Sequence, residues 1–249
     1  MYKNIAIIGA SGTIGSTFIS HFHKNYPEAH IHAISRQIIE TKELAITPHK
    51  VDYHIEDSIQ NIAHEVSREL PMDLVINATG ILHDDLVTPE KSLRNLTSQS
   101  MQHLYEIDCI IPSMIAKYFV PKLNKDKRSI FAALSARIGS ISDNRLGGWY
   151  SYRAAKAALN MMIKNISIET KRSNKNAIIV GLHPGTVDSP LSKPFQKNLP
   201  KGQLFTPDFS IASMTKVLNR LASKDTGKLF AFDGEEINPY CKLYGLKGI

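Results

Sequence analysis

Four apolar residues, Ile5-Ala6-Ile7-Ile8, run without a polar break into three glycines spaced three apart, Gly9-Ala10-Ser11-Gly12-Thr13-Ile14-Gly15. An unbroken apolar run suits a strand covered on both faces, and such strands belong to parallel sheets held between helical layers. A glycine-rich turn leading from that strand into a helix lets backbone amides and the helix N-terminus approach a pyrophosphate. The spacing departs from the common Gly-x-Gly-x-x-Gly, because Ser11 stands where the second glycine would fall. Glycines at these positions would also serve a helix that only packs closely on its strand. The strand before and the helix after favour a dinucleotide.

The same alternation continues along the chain. Strand-like runs at 4–8, 30–34, about 50–53, 73–77, 129–134, 177–182 and 228–232 alternate with helix-length segments at 13–24, 56–70, 99–122, 150–173 and 208–223. In 99–122, Met101, Leu104, Ile107, Ile111, Met114, Ile115 and Phe119 recur at helical spacing. A βαβαβ chain of this kind predicts an α/β fold: a Rossmann-type doubly wound parallel sheet of about seven strands with helices on both faces. No linker, repeat or low-complexity tract divides it, so one domain over 1–249 is expected.

Composition narrows the partners. The chain is 43% apolar and 21% charged, as in ordinary globular proteins. Its net charge of +7 is scattered, and the densest basic cluster, Lys122 to Arg128, reads as a solvated helix end. Aromatic residues are not interleaved with the basic ones, so no nucleic-acid partner is expected. No run of eighteen apolar residues occurs, which predicts no membrane span, and the first apolar run is too short for a signal segment. Cys109 and Cys241 lie far apart, fitting free thiols in a reducing, cytoplasmic compartment. None of the ten histidines has metal-ligand spacing, so no metal is expected.

Two further features bear on chemistry. The end of the second strand reads Ala33-Ile34-Ser35-Arg36-Gln37, with no acid to hold a ribose 2′-hydroxyl. Arg36, helped by Ser35, suits a 2′-phosphate, which favours NADP(H) over NAD(H); a surface arginine at a strand end would read the same. In the fourth helical segment Tyr152 and Lys156 stand one turn apart, on one face. An ammonium beside a phenol stabilises the phenolate and so lets the pair exchange a proton near neutrality. Tyr-x-x-x-Lys also arises by chance in helices.

Several segments then fall in order: the glycine turn, Asn77-Ala78-Thr79-Gly80, Ser135 to Asn144, Gly147 to Asn160 and His183-Pro184-Gly185-Thr186-Val187. Together they resemble the short-chain dehydrogenase/reductase family over nearly the whole chain, and within it the C-factor and sniffer-type carbonyl reductase branch. That resemblance implies hydride transfer from NADPH to the carbonyl of a small-molecule substrate, with Tyr152 protonating the oxygen. Lys156 would bind the nicotinamide ribose and tune Tyr152. Asp52 would lie near the adenine; Asn77, Ala78 and Gly80 would line the cofactor; Pro184, Gly185, Thr186 and Val187 would contact the nicotinamide. The resemblance further implies a homo-oligomer, dimer or tetramer, formed through the helices at 99–122 and 150–173.

The chain departs from the family pattern twice. The usual serine, which by the resemblance would hydrogen-bond and polarise the substrate carbonyl, falls at Ala136, leaving its neighbour Ser135 as the expected replacement, with Ser140 and Ser142 open. The usual asparagine of the long helix is Asp108, expected either to hold a water linked to Lys156 or to pair locally. Residues 186–207 are proline-rich and read as a loop with short helical pieces, in which Leu191, Pro194 and Phe195 would roof an apolar substrate or serve packing. The tail 238–249, with Tyr240, Cys241, Leu243 and Tyr244, is expected to be unstructured or to meet a partner subunit. Loss of the serine and the new carboxylate keep a second reading open, a cofactor-binding regulator without turnover. A nucleotide-sugar epimerase would need a larger C-terminal region.

Overall fold

Alternate residues of the apolar runs enter two different cores, which is why the runs tolerate no polar break. In the computed structural model, which describes residues 2–240, Ile5 and Ile7 of strand β1 (Asn4–Ile8) join one cluster while Ala6 and Ile8 join the other. The first cluster is closed by Phe18 and Phe22 of α1 (Thr13–Asn25) and by Ile211, Met214 and Leu218 of α6 (Pro207–Arg220). The second is closed by Ile59 of α2 (Glu56–Val66), Ile115 and Phe119 of α4 (Ile111–Phe119), and Leu159 and Ile163 of α5 (Tyr150–Ser173).

Between these layers lie β1, β2 (His30–Ser35), β3 (Ile46–Lys50), β4 (Leu74–Asn77), β5 (Ser129–Leu134), β6 (Ala177–His183) and β9 (Leu229–Ala231). They form a seven-stranded parallel sheet in the order β3-β2-β1-β4-β5-β6-β9. The order reverses between β1 and β4, and the crevice beyond the strand ends at such a reversal is where doubly wound sheets take ligands. The expected fold is therefore the observed one. Among the described residues, no helix is long and apolar enough to cross a membrane.

Three boundaries differ from the sequence reading. The third strand is Ile46–Lys50, not about 50–53. Pro48 argues against a strand because it lacks a ladder donor, yet β3 is an edge strand with only β2 beside it, where proline is tolerated. The second helix stops at Val66, short of residue 70. The helix expected over 99–122 is α3 (Ser98–Tyr105), a π turn (Glu106–Ile110), α4 and a 3-10 turn (Val120–Lys122). Pro112 cannot donate to the carbonyl of Asp108 and its ring crowds that carbonyl, so the helix widens there.

Residues 186–207 hold β7 (Thr186–Val187), a 3-10 turn (Lys193–Asn198) and β8 (Leu204–Phe205). The parallel β7–β8 ladder adds to the short helical piece expected. Residues 238 and 239 fold back: Ile141 N–H donates to the Pro239 carbonyl at 2.8 Å. Residues 241–249 of the tail lie outside the described residues.

Candidate active site

The glycine turn is glycine for reasons of contact. Gly9 has φ +83°, and a Cβ there would stand 2.8 Å from the Ala78 carbonyl carbon; a Cβ on Gly15 would stand 2.2 Å from the Gly9 oxygen. The turn thus lies against the end of β4, and α1 lies against the turn. Gly12 caps α1 without a side-chain hydrogen bond, and the first turn of α1 holds no acid. That leaves amide donors and the positive end of the helix dipole available to an anion. Tyr53 closes the turn from below: its buried hydroxyl accepts from Gly9 N–H at 3.1 Å and donates to the Ile34 carbonyl at 3.3 Å. Burial pushes its pKa up to about 12, which keeps it a neutral donor. Nothing in the sequence marked Tyr53, because its role depends on β2 and β3 lying side by side.

Other residues expected at the cofactor separate into exposed and buried ones. Arg36 is exposed beyond β2, and Asp52 is exposed with Oδ1 accepting from His54 N–H at 2.9 Å. The Ser35 hydroxyl turns inward to the Gln37 carbonyl. Asn77 is buried; its Oδ1 accepts from the Thr79 amide at 3.1 Å and hydroxyl at 2.8 Å, and its Nδ2 has no partner. An unpartnered buried amide, an uncapped helix and a cradle that side chains would fill all fit a dinucleotide.

On α5, Tyr152, Lys156 and Asn160 project from successive turns of one face. Lys156 is 3% exposed. Its Nζ meets Asp108 Oδ1 at 3.0 Å and the Leu134 carbonyl at 3.3 Å, and lies 5.7 Å from the Tyr152 ring centroid. Asp108, wholly buried in the π turn, also accepts from Ile81 N–H at 3.1 Å, while its Oδ2 has no partner. Gly80 (φ +150°) makes this possible, since a Cβ there would lie 2.8 Å from Asp108 Oδ1. Burial first, and then the Asp108 charge, hold the Tyr152 phenol well above its ordinary pKa. Burial likewise raises Asp108, and the Lys156 ammonium opposes that rise.

The serines are all engaged. Ser135 donates to Asn160 Oδ1 at 2.6 Å; the Ser140 hydroxyl donates to the Asn238 carbonyl, which Ser142 approaches at 3.5 Å.

Tyr152 and Ser135 line a cavity of about 770 Å³, together with Ile14 and the segment from His183 to Val187. Leu191, Pro194 and Phe195 line it from the 186–207 loop. That loop is clasped across the opening: His83 Nε2 meets the Leu191 carbonyl at 3.0 Å, and Phe195 packs between His83 (5.6 Å) and Trp149 (5.0 Å). Trp149 is a non-glycine residue in left-handed backbone (φ +50°), following Gly147 and Gly148 at φ +63° and +64°. Buried Glu90 secures it: Trp149 N–H donates to the Glu90 carbonyl at 2.6 Å, and the Ser151 amide and hydroxyl donate to the Glu90 carboxylate. His183 faces the cavity with Nδ1 unpartnered, its pKa lowered to about 4 chiefly by burial and then by Arg137. Sequence reasoning missed His83 and Glu90, and gave no role to Trp149 and His183 although both stand in segments it singled out, Gly147 to Asn160 and His183 to Val187.

A doubly wound sheet, a glycine turn at its reversal and a Tyr-Lys pair over the adjoining cavity define an oxidoreductase of the dinucleotide-binding class. A family model described as short chain dehydrogenase matches residues 3–200, and the chain belongs to that family. Among curated proteins it is similar to the C-signal of Myxococcus xanthus, 29% identical over 167 residues, covering 67% of this chain and 92% of that one. It is also similar to 1-hydroxy-2-glutathionyl-2-methyl-3-butene dehydrogenase of Rhodococcus sp. (strain AD45), 27% identical over 185 residues, covering 74% and 76%. Among solved structures, NADPH-bound carbonyl reductase from chicken fatty liver superposes with TM-score 0.82 at 24% identity, covering 95% of this chain and 94% of that one. Carbonyl reductase Sniffer of D. melanogaster superposes with TM-score 0.79 at 20% identity, covering 96% and 100%. At these identities the solved structures speak for the fold.

Proposed function

We propose that the protein is an NADP(H)-dependent carbonyl reductase in which Tyr152 is the general acid. The observation that carries this reading is the stack on α5: Tyr152 lines the cavity, and the Lys156 ammonium sits buried beneath its ring. The glycine turn from Gly9 to Gly15 would hold the pyrophosphate, Arg36 the 2′-phosphate, and Pro184 to Val187 the nicotinamide, which supplies hydride when bound. Tyr152 donates its proton to the carbonyl oxygen, and Lys156 stabilises the phenolate left behind. Ser135, in the cavity wall at the end of β5, would hydrogen-bond the substrate carbonyl; in this structure its hydroxyl donates to Asn160 Oδ1. The curated relative named as a dehydrogenase supports the reaction class.

The test is NADPH and NADH oxidation against a panel of aldehydes, ketones and quinones. Turnover preferring NADPH is expected, and Tyr152→Phe is expected to lower kcat about 10²–10⁴-fold; equal rates in that variant would sink the role of Tyr152. A second reading rests on Asp108, whose carboxylate opposes phenolate formation: a cofactor-binding regulator, for which cofactor would bind and no carbonyl turn over. We also infer a homo-oligomer through α3, α4 and α5.

A further inference from the structure

The cavity has apolar walls and a cationic rim. Among its lining side chains Lys91, Arg137, Arg153 and Lys197 are basic and Asp143 is the carboxylate. Arg137 is already matched, pairing with Asp143 at 3.5 Å and with Glu235. Among the described residues, the other three have no carboxylate within 4.0 Å.

The chain segments that carry these three residues meet at Gly148 and Trp149. Arg153 Nε donates to the Gly148 carbonyl at 3.0 Å and Nη1 to the Ile138 carbonyl at 3.4 Å. The Lys91 carbonyl lies 3.9 Å from where a Gly148 Cβ would stand. Lys197 shares a 3-10 turn with Phe195, whose ring meets Trp149. Arg153 is half-buried with only neutral carbonyls as hydrogen-bond partners; burial pulls its pKa below the usual guanidinium value, and the charge of Asp143, which is beyond ion-pair distance and already paired with Arg137, opposes that fall. A half-buried cation with no carboxylate in direct contact is stabilised by an anion brought beside it. The cofactor phosphates do not fill this need, because the glycine turn and Arg36 that would hold them lie at the ends of β1 and β2.

We propose that this cavity takes carbonyl compounds whose apolar body carries an anionic group, a carboxylate or an equivalent monoanion, held by Lys91, Arg153 and Lys197. This rests on reading the cavity as the substrate site. Trp149 is the chain's only tryptophan and stands in the cavity wall, so its fluorescence reports binding without requiring turnover. The full chain, with and without NADP⁺, would be titrated with 4-butylbenzoate and with its neutral isostere 4-butylbenzamide. The benzoate is expected to bind about tenfold more tightly at low salt, with the gap narrowing as ionic strength rises. The ratio is expected to fall toward one in Lys91→Gln/Lys197→Gln and in Arg153→Met. Arg153 also holds the Gly148 carbonyl, so the lysine pair decides the matter if Arg153→Met does not fold. Equal affinity of the two probes, no response to either, or a preference untouched by the substitutions would overturn the proposal. Anion preference without turnover of any carbonyl would instead remove the reductase reading and leave this one standing.

Discussion

Asp108 puts a negative charge where Tyr152 is to release and regain a proton. Its carboxylate raises the phenol pKa on top of the larger effect of burial, and it shares the Lys156 ammonium that would lower it. Asp108→Asn removes that charge and leaves an amide oxygen able to accept from Lys156. The Tyr152 pKa is then expected to fall, by roughly one unit for a single neighbouring charge. Alcohol oxidation, which needs the phenolate, would gain at lower pH, with its rising limb displaced downward by about that amount. A pH profile of kcat/KM in the oxidation direction checks this; a limb that stays put would separate Asp108 from the proton. Tyr152 and Lys156 were legible because one helical turn fixes their common face. The Asp108–Lys156 pair was not, since it depends on a π turn and on Gly80 letting a loop approach two buried charges. Ser135 was legible as the neighbour of the usual serine position, whereas its contact with Asn160 was not, since it joins the end of β5 to α5.

At the level of elements, the β2–β3 edge carries an acid-sensitive seam. His32 Nδ1 and His49 Nε2 lie 2.9 Å apart, His49 Nδ1 faces Glu65 of α2 at 3.3 Å, and His30 Nε2 meets the Thr47 hydroxyl at 2.9 Å. Burial first, then the His30 and His49 rings, lower His32 to about 3. A histidine whose folded pKa lies below its unfolded one takes up its proton on unfolding. Its stabilising effect is therefore whole above the unfolded value near 6.5 and is lost progressively as pH falls toward 3. Between pH 7.5 and 5 this amounts to about 1–2 kcal/mol. Urea midpoints should drop across that interval in the wild type and drop less in His32→Phe; parallel losses in both would refute the assignment. The seam was hidden in the sequence along with β3, because Pro48 reads as a strand breaker until the strand is known to lie at an edge. Most of the other strands were readable because unbroken apolar runs have few alternatives, and β2 because its apolar residues alternate with His30 and His32, whereas the break at 106–110 in the long helix comes from a proline reaching back one turn.

Across the whole molecule, the candidate residues come from the C-terminal ends of the sheet strands and from the loops and helices beside them, so alternation of strands and helices already located the crevice. What surrounds the crevice was less legible, since His83, Glu90, Trp149 and Phe195 meet only through contacts between distant loops. On the outer face, Ile110, Met161 and Ile168 are 45%, 57% and 50% exposed, and the turn carrying Ile110 packs on α5. Covering what remains exposed of such side chains is worth about 1 kcal/mol each. If the proposed oligomer forms through this face, Met161→Lys/Ile168→Glu is expected to lower its mass to that of a monomer in light-scattering chromatography; a mass equal to that of the wild type would refute this interface. The clasp of Ser140 and Ile141 on Asn238 and Pro239 joins points up to 98 residues apart in the chain. During synthesis the cradle for the nucleotide and the α5 helix leave the ribosome well before residues 238 and 239 exist. The nascent protein can therefore assemble a binding cleft early, while the loop beside Tyr152 acquires this anchor only once residues 238 and 239 have emerged, so cofactor capture is expected to precede competence for any chemistry.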